Sequence, residues 1–409
     1  LSIQALGLRA TAERHVQAAP PDAILGLTEA WKKDPNPLKV NLGVGIYKDD
    51  KGQTPVLPSV KTAEERLLAT ASTKTYMPIG GAPEYGKLVQ ALILGTDHPA
   101  IQENRIRTAQ VPGGTGGLRV GADFLRKIRG GATVWVSRPT WANHKGIFEA
   151  AGFSVKEYAY YHAATRGLDE AGLLADLETI PAGDIVVLHV CCHNPSGVDL
   201  DAAQWEKVAA IAARKGWIPF LDFAYQGFGS GVEEDREGLL AMVRACPELL
   251  VSSSFSKNFG LYQERTGALS VIAANRAQAD IAFSHIEIAI RVNYSNPPAH
   301  GGLIVTTILS DEVLTNQWLE ELGAMRTRIA EVRRQFVLAL KNQGIATDFS
   351  FINRQKGMFS FSGLSDEQVA FLREKKSIYI VKGGRISVAG ITSQNIDYLC
   401  QSLAEVLNG

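Results

Sequence analysis

Between about residues 108 and 275 short apolar runs alternate with amphipathic stretches. Residues 132–141 (ATVWVSRPTW), 184–197 (DIVVLHVCCHNPSG), 217–228 (WIPFLDFAYQGF) and 248–257 (ELLVSSSFSK) are strand-like runs that end in polar residues or turns. Residues 201–216 (DAAQWEKVAAIAARKG) lie between two of them. There Trp205, Val208, Ala209 and Ala212 recur at helical spacing, Asp201 is placed to cap the start, and Gly216 to end the helix. Alternation of this kind predicts an α/β domain with a largely parallel sheet, in which ligands bind at the carboxyl ends of the strands. The polar residues of these runs fall at those ends.

The period changes after residue 310. Leu314, Trp318, Leu322, Met325, Ile329, Val332 and Phe336 mark one apolar stripe along a long helix. Short strand-like pieces follow at 357–363 (GMFSFSG) and 378–390 (IYIVKGGRISVAG), then a final amphipathic segment. Together they predict a smaller α+β lobe, to which residues 40–52 (VNLGVGIYKDDKG) also belong. The boundaries drawn are an N-terminal arm at 1–20, a small domain at 21–53 and 325–409, and a large domain at 54–324.

Composition narrows the class. With 409 residues the chain can bury a large core, and 42 basic residues balance 42 acidic ones. No global charge recruits nucleic acid or an anionic membrane, so any anion site must be local. The four cysteines (Cys191, Cys192, Cys246, Cys400) are sparse and two are adjacent, which argues against a disulfide framework and for a reducing compartment. No apolar run is long enough to span a bilayer. The opening residues 1–24 hold arginines and few acids. They read as an extended arm or first helix in preference to the remnant of an organelle transit peptide. The cytoplasm is the expected compartment, with the mitochondrial matrix as the alternative.

Candidate chemistry begins at Lys257, in SSSFSKNFGLYQER, where a buried strand runs out among small hydroxyls. A lysine becomes a nucleophile when desolvation or nearby cations lower its pKa, and Arg265 is placed to contribute. Ser254, Ser256 and Arg265 are suited to hold a phosphate. The plain alternative is a lysine snorkelling beside a turn. Asp222 ends the apolar run WIPFL, so its carboxylate needs a cationic partner or several donors. A protonated pyridine nitrogen is such a partner; a helix cap is the plain alternative. Tyr225 follows within a turn. Asn194 precedes a proline, which by itself reads as a turn. His189, Cys191 and His193 alternate and would share one strand face. Zinc needs three or four ligands and no second Cys/His pair is evident, so no metal is expected. Gly114, Thr115 and Gly116 stand before a helical pattern, where backbone amides bind phosphate. The dinucleotide fingerprint fails there, because Arg119 stands at the third glycine position and no clear strand precedes. Residues 81–88 (GAPEYGKL) have nucleotide-loop spacing, but Leu88 replaces the required hydroxyl. Trp141 offers a flat surface for a planar ring, or is a core tryptophan. Arg385, in an otherwise apolar strand, and Arg291 are candidate carboxylate clamps.

Taken together, SFSKNFGLYQERTG, CCHNPSG, DFAYQGF, PGGTGG and NYSNPPAHG resemble, in order and spacing, the aspartate aminotransferase family of pyridoxal-phosphate enzymes of fold type I. The resemblance runs nearly end to end. It implies a mostly parallel seven-stranded sheet flanked by helices, a smaller α+β domain, and transfer of an amino group from L-aspartate to 2-oxoglutarate by a ping-pong route. It further implies that Lys257 bonds the cofactor and shuttles the proton, and that Asp222 keeps the pyridine nitrogen protonated. Tyr225 and Asn194 would bond the ring hydroxyl oxygen, and Trp141 would stack on the ring. Gly114, Thr115, Ser254, Ser256 and Arg265 would bind the phosphate, joined by Tyr76 from the other subunit of a homodimer. Gly45, Trp141, Asn194 and Arg385 would contact substrate, and Arg291 would hold the side-chain carboxylate across the dimer interface. His144 and His189 would support the site from behind. Lys48, Thr54, Thr115 and Asn296 look more like the aspartate branch than the aromatic one. Thr75 departs from the asparagine often seen there, so an aromatic or dual-specificity aminotransferase is the alternative. Two readings of other classes compete: a nucleotide-dependent enzyme using the glycine-rich loop, which the missing third glycine disfavours, and a non-catalytic scaffold, which intact Lys257, Asp222 and Arg385 disfavour.

Overall fold

The computed structural model describes residues 25–408; the arm predicted at 1–20 lies outside them. Seven strands form the main sheet: β1 (Ile106–Pro112), β2 (Thr133–Arg138), β3 (Ser154–Ala159), β4 (Ile185–His189), β5 (Ile218–Phe223), β6 (Leu249–Ser254) and β7 (Thr266–Ile272). Their spatial order is β1-β7-β6-β5-β4-β2-β3. The pairs from β6 to β3 are parallel, and β7 runs antiparallel to both its neighbours. The helices that matter here are α1 (Gly113–Ile128), α2 (Asn143–Ala150), α3 (Ala202–Lys215), α4 (Arg276–Asn293) and α5 (Glu312–Asn342).

Every residue of β4, β6 and β7 is buried. Burial on both faces leaves these strands without polar/apolar alternation: β4 is apolar up to its final His189, and β6 and β7 add only the small hydroxyls Ser252, Ser253, Ser254, Thr266 and Ser270. The predicted helix is α3. Its Asp201 carboxylate accepts from the Gln204 N–H at 2.8 Å, and the Gln204 side chain accepts from the Asp201 N–H at 2.9 Å. Gly216 ends it at φ +73°, a left-handed conformation that glycine adopts without steric cost.

One expectation fails at β1. The stretch IRTAQVP before the glycines is a strand, although Arg107, Thr108 and Gln110 interrupt its apolar run. It is an edge strand, and its polar side chains find partners from distant parts of the chain. The Thr108 and Ser270 hydroxyls meet at 2.8 Å, and Gln110 donates to the Pro298 carbonyl at 2.8 Å. A polar pattern satisfied by neighbours is invisible to a search for apolar runs.

Helix α5 buries the predicted stripe in two places. Leu314, Trp318, Leu322, Met325 and Ile329 pack into the core that contains the sheet. Val332, Phe336 and Leu340 pack into a separate cluster with Val40, Leu42, Ile378 and Ile386. Around that second cluster Val40–Asn41 pairs with Ile378–Tyr379, and Phe359–Phe361 pairs with Arg385–Ser387. The segment 40–52 is shared: Val40 and Leu42 join the second cluster and Tyr47 the first.

Trp318 links the helix to the chain just after Lys257. It stacks on Phe259 with centroids 4.4 Å apart and donates its indole N–H to the Asn258 carbonyl at 2.7 Å. Trp318→Ala should therefore lower the free energy of unfolding by about 3–5 kcal/mol, read as a lower urea midpoint.

Candidate active site

A cavity of about 240 Å³ opens at one rim of the sheet. β1, β4, β5 and β6 deliver their carboxyl ends to this rim. Because β7 is antiparallel, its amino end arrives there too, with Thr266 opposite Pro112 and Gly267 opposite Ser254. That reversal places Arg265 beside Ser254 and Ser256. The Arg265 guanidinium donates to the Ser256 hydroxyl at 3.2 Å, and the Ser254 and Ser256 hydroxyls are 3.2 Å apart. Gly113, at φ +70°, lies against the same guanidinium, and a β-carbon there would collide with it. Gly114 and Thr115, in the first turn of α1, complete this end of the cavity. Hydroxyls, a guanidinium and the positive end of a 16-residue helix make an anion cradle.

At the centre stand Lys257 and Asp222. The Lys257 amine lies 4.9 Å from the Tyr225 ring centroid. Burial lowers its pKa to about 8; Arg265 acts in the same direction and Asp222 opposes. Asp222 is 5% exposed at the end of β5. Its Oδ2 accepts from His144 Nε2 at 3.0 Å, with His189 Nε2 at 3.9 Å. Burial pushes its carboxyl pKa up, but the His144 hydrogen bond and the charges around it win and hold it below the ordinary range. Its Oδ1 is buried with no partner. His144 is itself fixed by Thr140 at 2.7 Å. His189 is held neutral, its pKa lowered by burial to about 3.

The ligand atoms of His144, His189 and Asp222 lie within 4.8 Å of one another. This is a different set from the alternating His189, Cys191 and His193. The alternation does not survive, because β4 ends at His189 and Cys192 turns to φ +53°. His193 is engaged elsewhere, between Ser137 at 2.9 Å and Ser196 at 2.7 Å. In the Thr140–His144–Asp222 chain, His144 uses both ring nitrogens in hydrogen bonds, an arrangement suited to orienting the carboxylate.

The far wall belongs to Arg385, 5% exposed on the strand Arg385–Ser387. Its guanidinium lies 4.4 Å from the Phe359 ring centroid. One nitrogen donates to Asn194 Oδ1 at 3.3 Å, another to the Gly43 carbonyl, and Nε has no partner. Burial lowers its pKa to about 10, so it is cationic at neutral pH. Trp141 and Gly45 line the same cavity, and a β-carbon on Gly45 would collide with Phe359.

Thus Gly45, Gly114, Thr115, Trp141, Asn194, Asp222, Tyr225, Ser254, Ser256, Lys257, Arg265 and Arg385 meet around one cavity. Tyr76 and Arg291 do not. Tyr76 is 90% exposed and Arg291, on α4, is exposed and bonds Ser295. Four further residues line the cavity without having been singled out: Leu118, Ala224, Tyr262 and Phe359. Tyr262 accepts from the Tyr47 N–H at 2.9 Å, which ties the segment 40–52 to the Lys257 loop. It stands within the lysine motif; Phe359 carried no signal beyond its place in a strand.

The family model described as "Aminotransferase class I and II" matches residues 37–403. The chain belongs to this aminotransferase family. It is 51% identical over 393 residues to the aspartate aminotransferase of Escherichia coli, covering 96% of this chain and 99% of that one. Among solved structures, the aromatic-amino-acid aminotransferase of Burkholderia pseudomallei, covalently bound to pyridoxal phosphate, superposes with a TM-score of 0.94 at 47% identity, covering 97% of this chain and all of that one. The fold of this aminotransferase is thus that of its family, a mostly parallel seven-stranded sheet with flanking helices.

The aminotransferase cavity makes the Lys257 amine a titration probe. In cofactor-free protein its carbamylation by cyanate should rise with pH to a plateau with a midpoint near 8. Arg265→Met should move the midpoint up, since it removes a cation, and Asp222→Asn should move it down. Peptide mass analysis of Lys257 across a pH series measures all three.

Proposed function

We propose that this chain is a pyridoxal-phosphate-dependent aspartate aminotransferase, converting L-aspartate and 2-oxoglutarate to oxaloacetate and L-glutamate in two half-reactions. The observation that carries this reading is the pairing of Lys257, an amine with its pKa lowered to about 8, with the unpartnered buried Oδ1 of Asp222 in one cavity. The residues fit the cofactor: an orphaned carboxylate oxygen suits a protonated pyridine nitrogen, Trp141 suits the ring face, and the Ser254–Ser256–Arg265 end suits a phosphate. When bound, pyridoxal phosphate supplies an electron sink for charge developing at the amino acid α-carbon.

The chain's own residues do the rest. The Lys257 Nζ would hold the cofactor covalently and, as a free amine, take and return the α-proton; a pKa lowered to about 8 brings that amine within reach of neutral pH. Asp222, oriented by His144, holds a proton on the pyridine nitrogen. Neutral His189 adds no charge of its own there. Asn194 and Tyr225 hold the ring oxygen. Arg385, with a free Nε, grips the α-carboxylate as a fork and so orients the α-hydrogen toward Lys257. Arg291 and Tyr76, exposed and outside the cavity, act in the site of a second copy of the chain. Val292 and Ile288, 81% and 51% exposed on α4 beside Arg291, support that homodimer. A division on α5 between Ile329 and Val332, where the helix passes from one core to the other, lets the small domain close over substrate and exclude water. We place the enzyme in the cytoplasm, a setting that suits its four free thiols; among the described residues no helix is long and apolar enough to cross a membrane.

Lys257→Ala should abolish turnover with aspartate and remove the visible absorbance of the purified protein; protein that binds no pyridoxal phosphate overturns the reading. Arg291→Asp should cut kcat/KM for aspartate by about two decades or more while sparing tyrosine and phenylalanine, because a lost charge-assisted contact costs a few kcal/mol. Equal losses on both substrate classes would remove Arg291 from that role.

A further inference from the structure

Behind the wall that carries Asn194 and Phe359 lies a second cleft of about 260 Å³, where α5 meets the loop 227–229 and the segment 353–357. Arg326, Ala330, Arg333 and Arg334 face it at helical spacing, and the small side chain of Ala330 leaves space between guanidiniums. Arg333 is 3% exposed and has no carboxylate partner. It donates to the carbonyls of Ile352, Gly357 and Phe359 and to the Ser360 hydroxyl. Arg326 donates to the Gly227 carbonyl at 2.8 Å, and Arg334 pairs with Glu331. Two other carboxylates are nearby and both are taken up by backbone amides: Asp235 by those of Gly227, Gly229 and Ser230, and Asp199 by those of Cys192 and His193. With Lys356, whose amine reaches the Ser230 hydroxyl at 2.8 Å, four cations at the cleft outnumber Glu331, Asp235 and Asp199.

The deciding residue is Gln355. It lines the cleft at 5% exposure, and neither its amide nitrogen nor its amide oxygen has a partner in the protein. Buried side-chain amides are normally satisfied, so both a donor and an acceptor await a ligand. An oxyanion accepts from the amide N–H₂ and from the guanidiniums. The amide oxygen requires that the same ligand also bear a hydroxyl. We propose that this cleft is a second anion site, separate from the cofactor cradle, built for hydrogen phosphate. Hydrogen phosphate has the charge for Arg326 and Arg334 and one O–H for the Gln355 oxygen. Its location gives it leverage, since the Lys356 N–H donates to the Gly197 carbonyl at 2.8 Å, three residues from Asn194. The assignment does not depend on the reaction proposed above.

Titration calorimetry of the holoenzyme with sodium phosphate at pH 7.5 and constant ionic strength tests it; sulfate, of like shape but without a hydroxyl, is the comparison. Phosphate should bind saturably, and sulfate about ten-fold more weakly or worse, as loss of one buried hydrogen bond predicts. Gln355→Leu should weaken phosphate by a similar factor and abolish the preference over sulfate. Arg334→Ala, at an exposed position where folding is not at risk, should weaken both anions. Absence of saturable binding, equal affinity for sulfate, or unaltered binding in Arg334→Ala would each overturn the proposal.

Discussion

The chemistry of this molecule depends on a carboxylate held in a buried place with one oxygen committed and the other open. Burying Asp222 costs free energy, and without compensation it would take up a proton. His144 supplies the leading share of the compensation through a hydrogen bond, nearby positive charge adds to it, and Thr140 fixes the imidazole so that the bond has one geometry. The remaining oxygen keeps its negative charge and points its demand into the cavity. Lys257, Tyr225 and Trp141 are arranged around that demand, and the opposing effects of Asp222 and burial set the basicity of the amine.

Much of this was legible in the chain. The apolar runs mark four of the seven strands because burial on both faces favours apolar side chains until the carboxyl ends, and the residues at which those runs stop are the ones that meet in the cavity. The α5 stripe was equally clear. β1 was missed because its polar side chains are matched by Ser270 and Pro298 across the edge of the sheet, a relation that no local window contains. Tyr262 and Phe359 were missed for a similar reason: each acts through a partner far away in sequence, Tyr47 for one and Arg385 for the other.

The antiparallel strand β7 is the least expected contributor. A seventh parallel strand would have sent its amino end, and Arg265 with it, to the opposite rim. Reversal brings a cation to the hydroxyls of β6 without any long connection, and the glycine at 113 leaves space for the guanidinium. The anion cradle is thus a product of topology as much as of residue choice.

Arg333 has a mechanical meaning beyond charge. Its guanidinium is stitched to four carbonyls and a hydroxyl between residues 352 and 360, so that stretch must travel with the helix as one piece. Phe359 sits in the stitched stretch and forms the floor under Arg385. Any tilt of the helix carries that floor with it, so the rod and the wall under Arg385 move as one body.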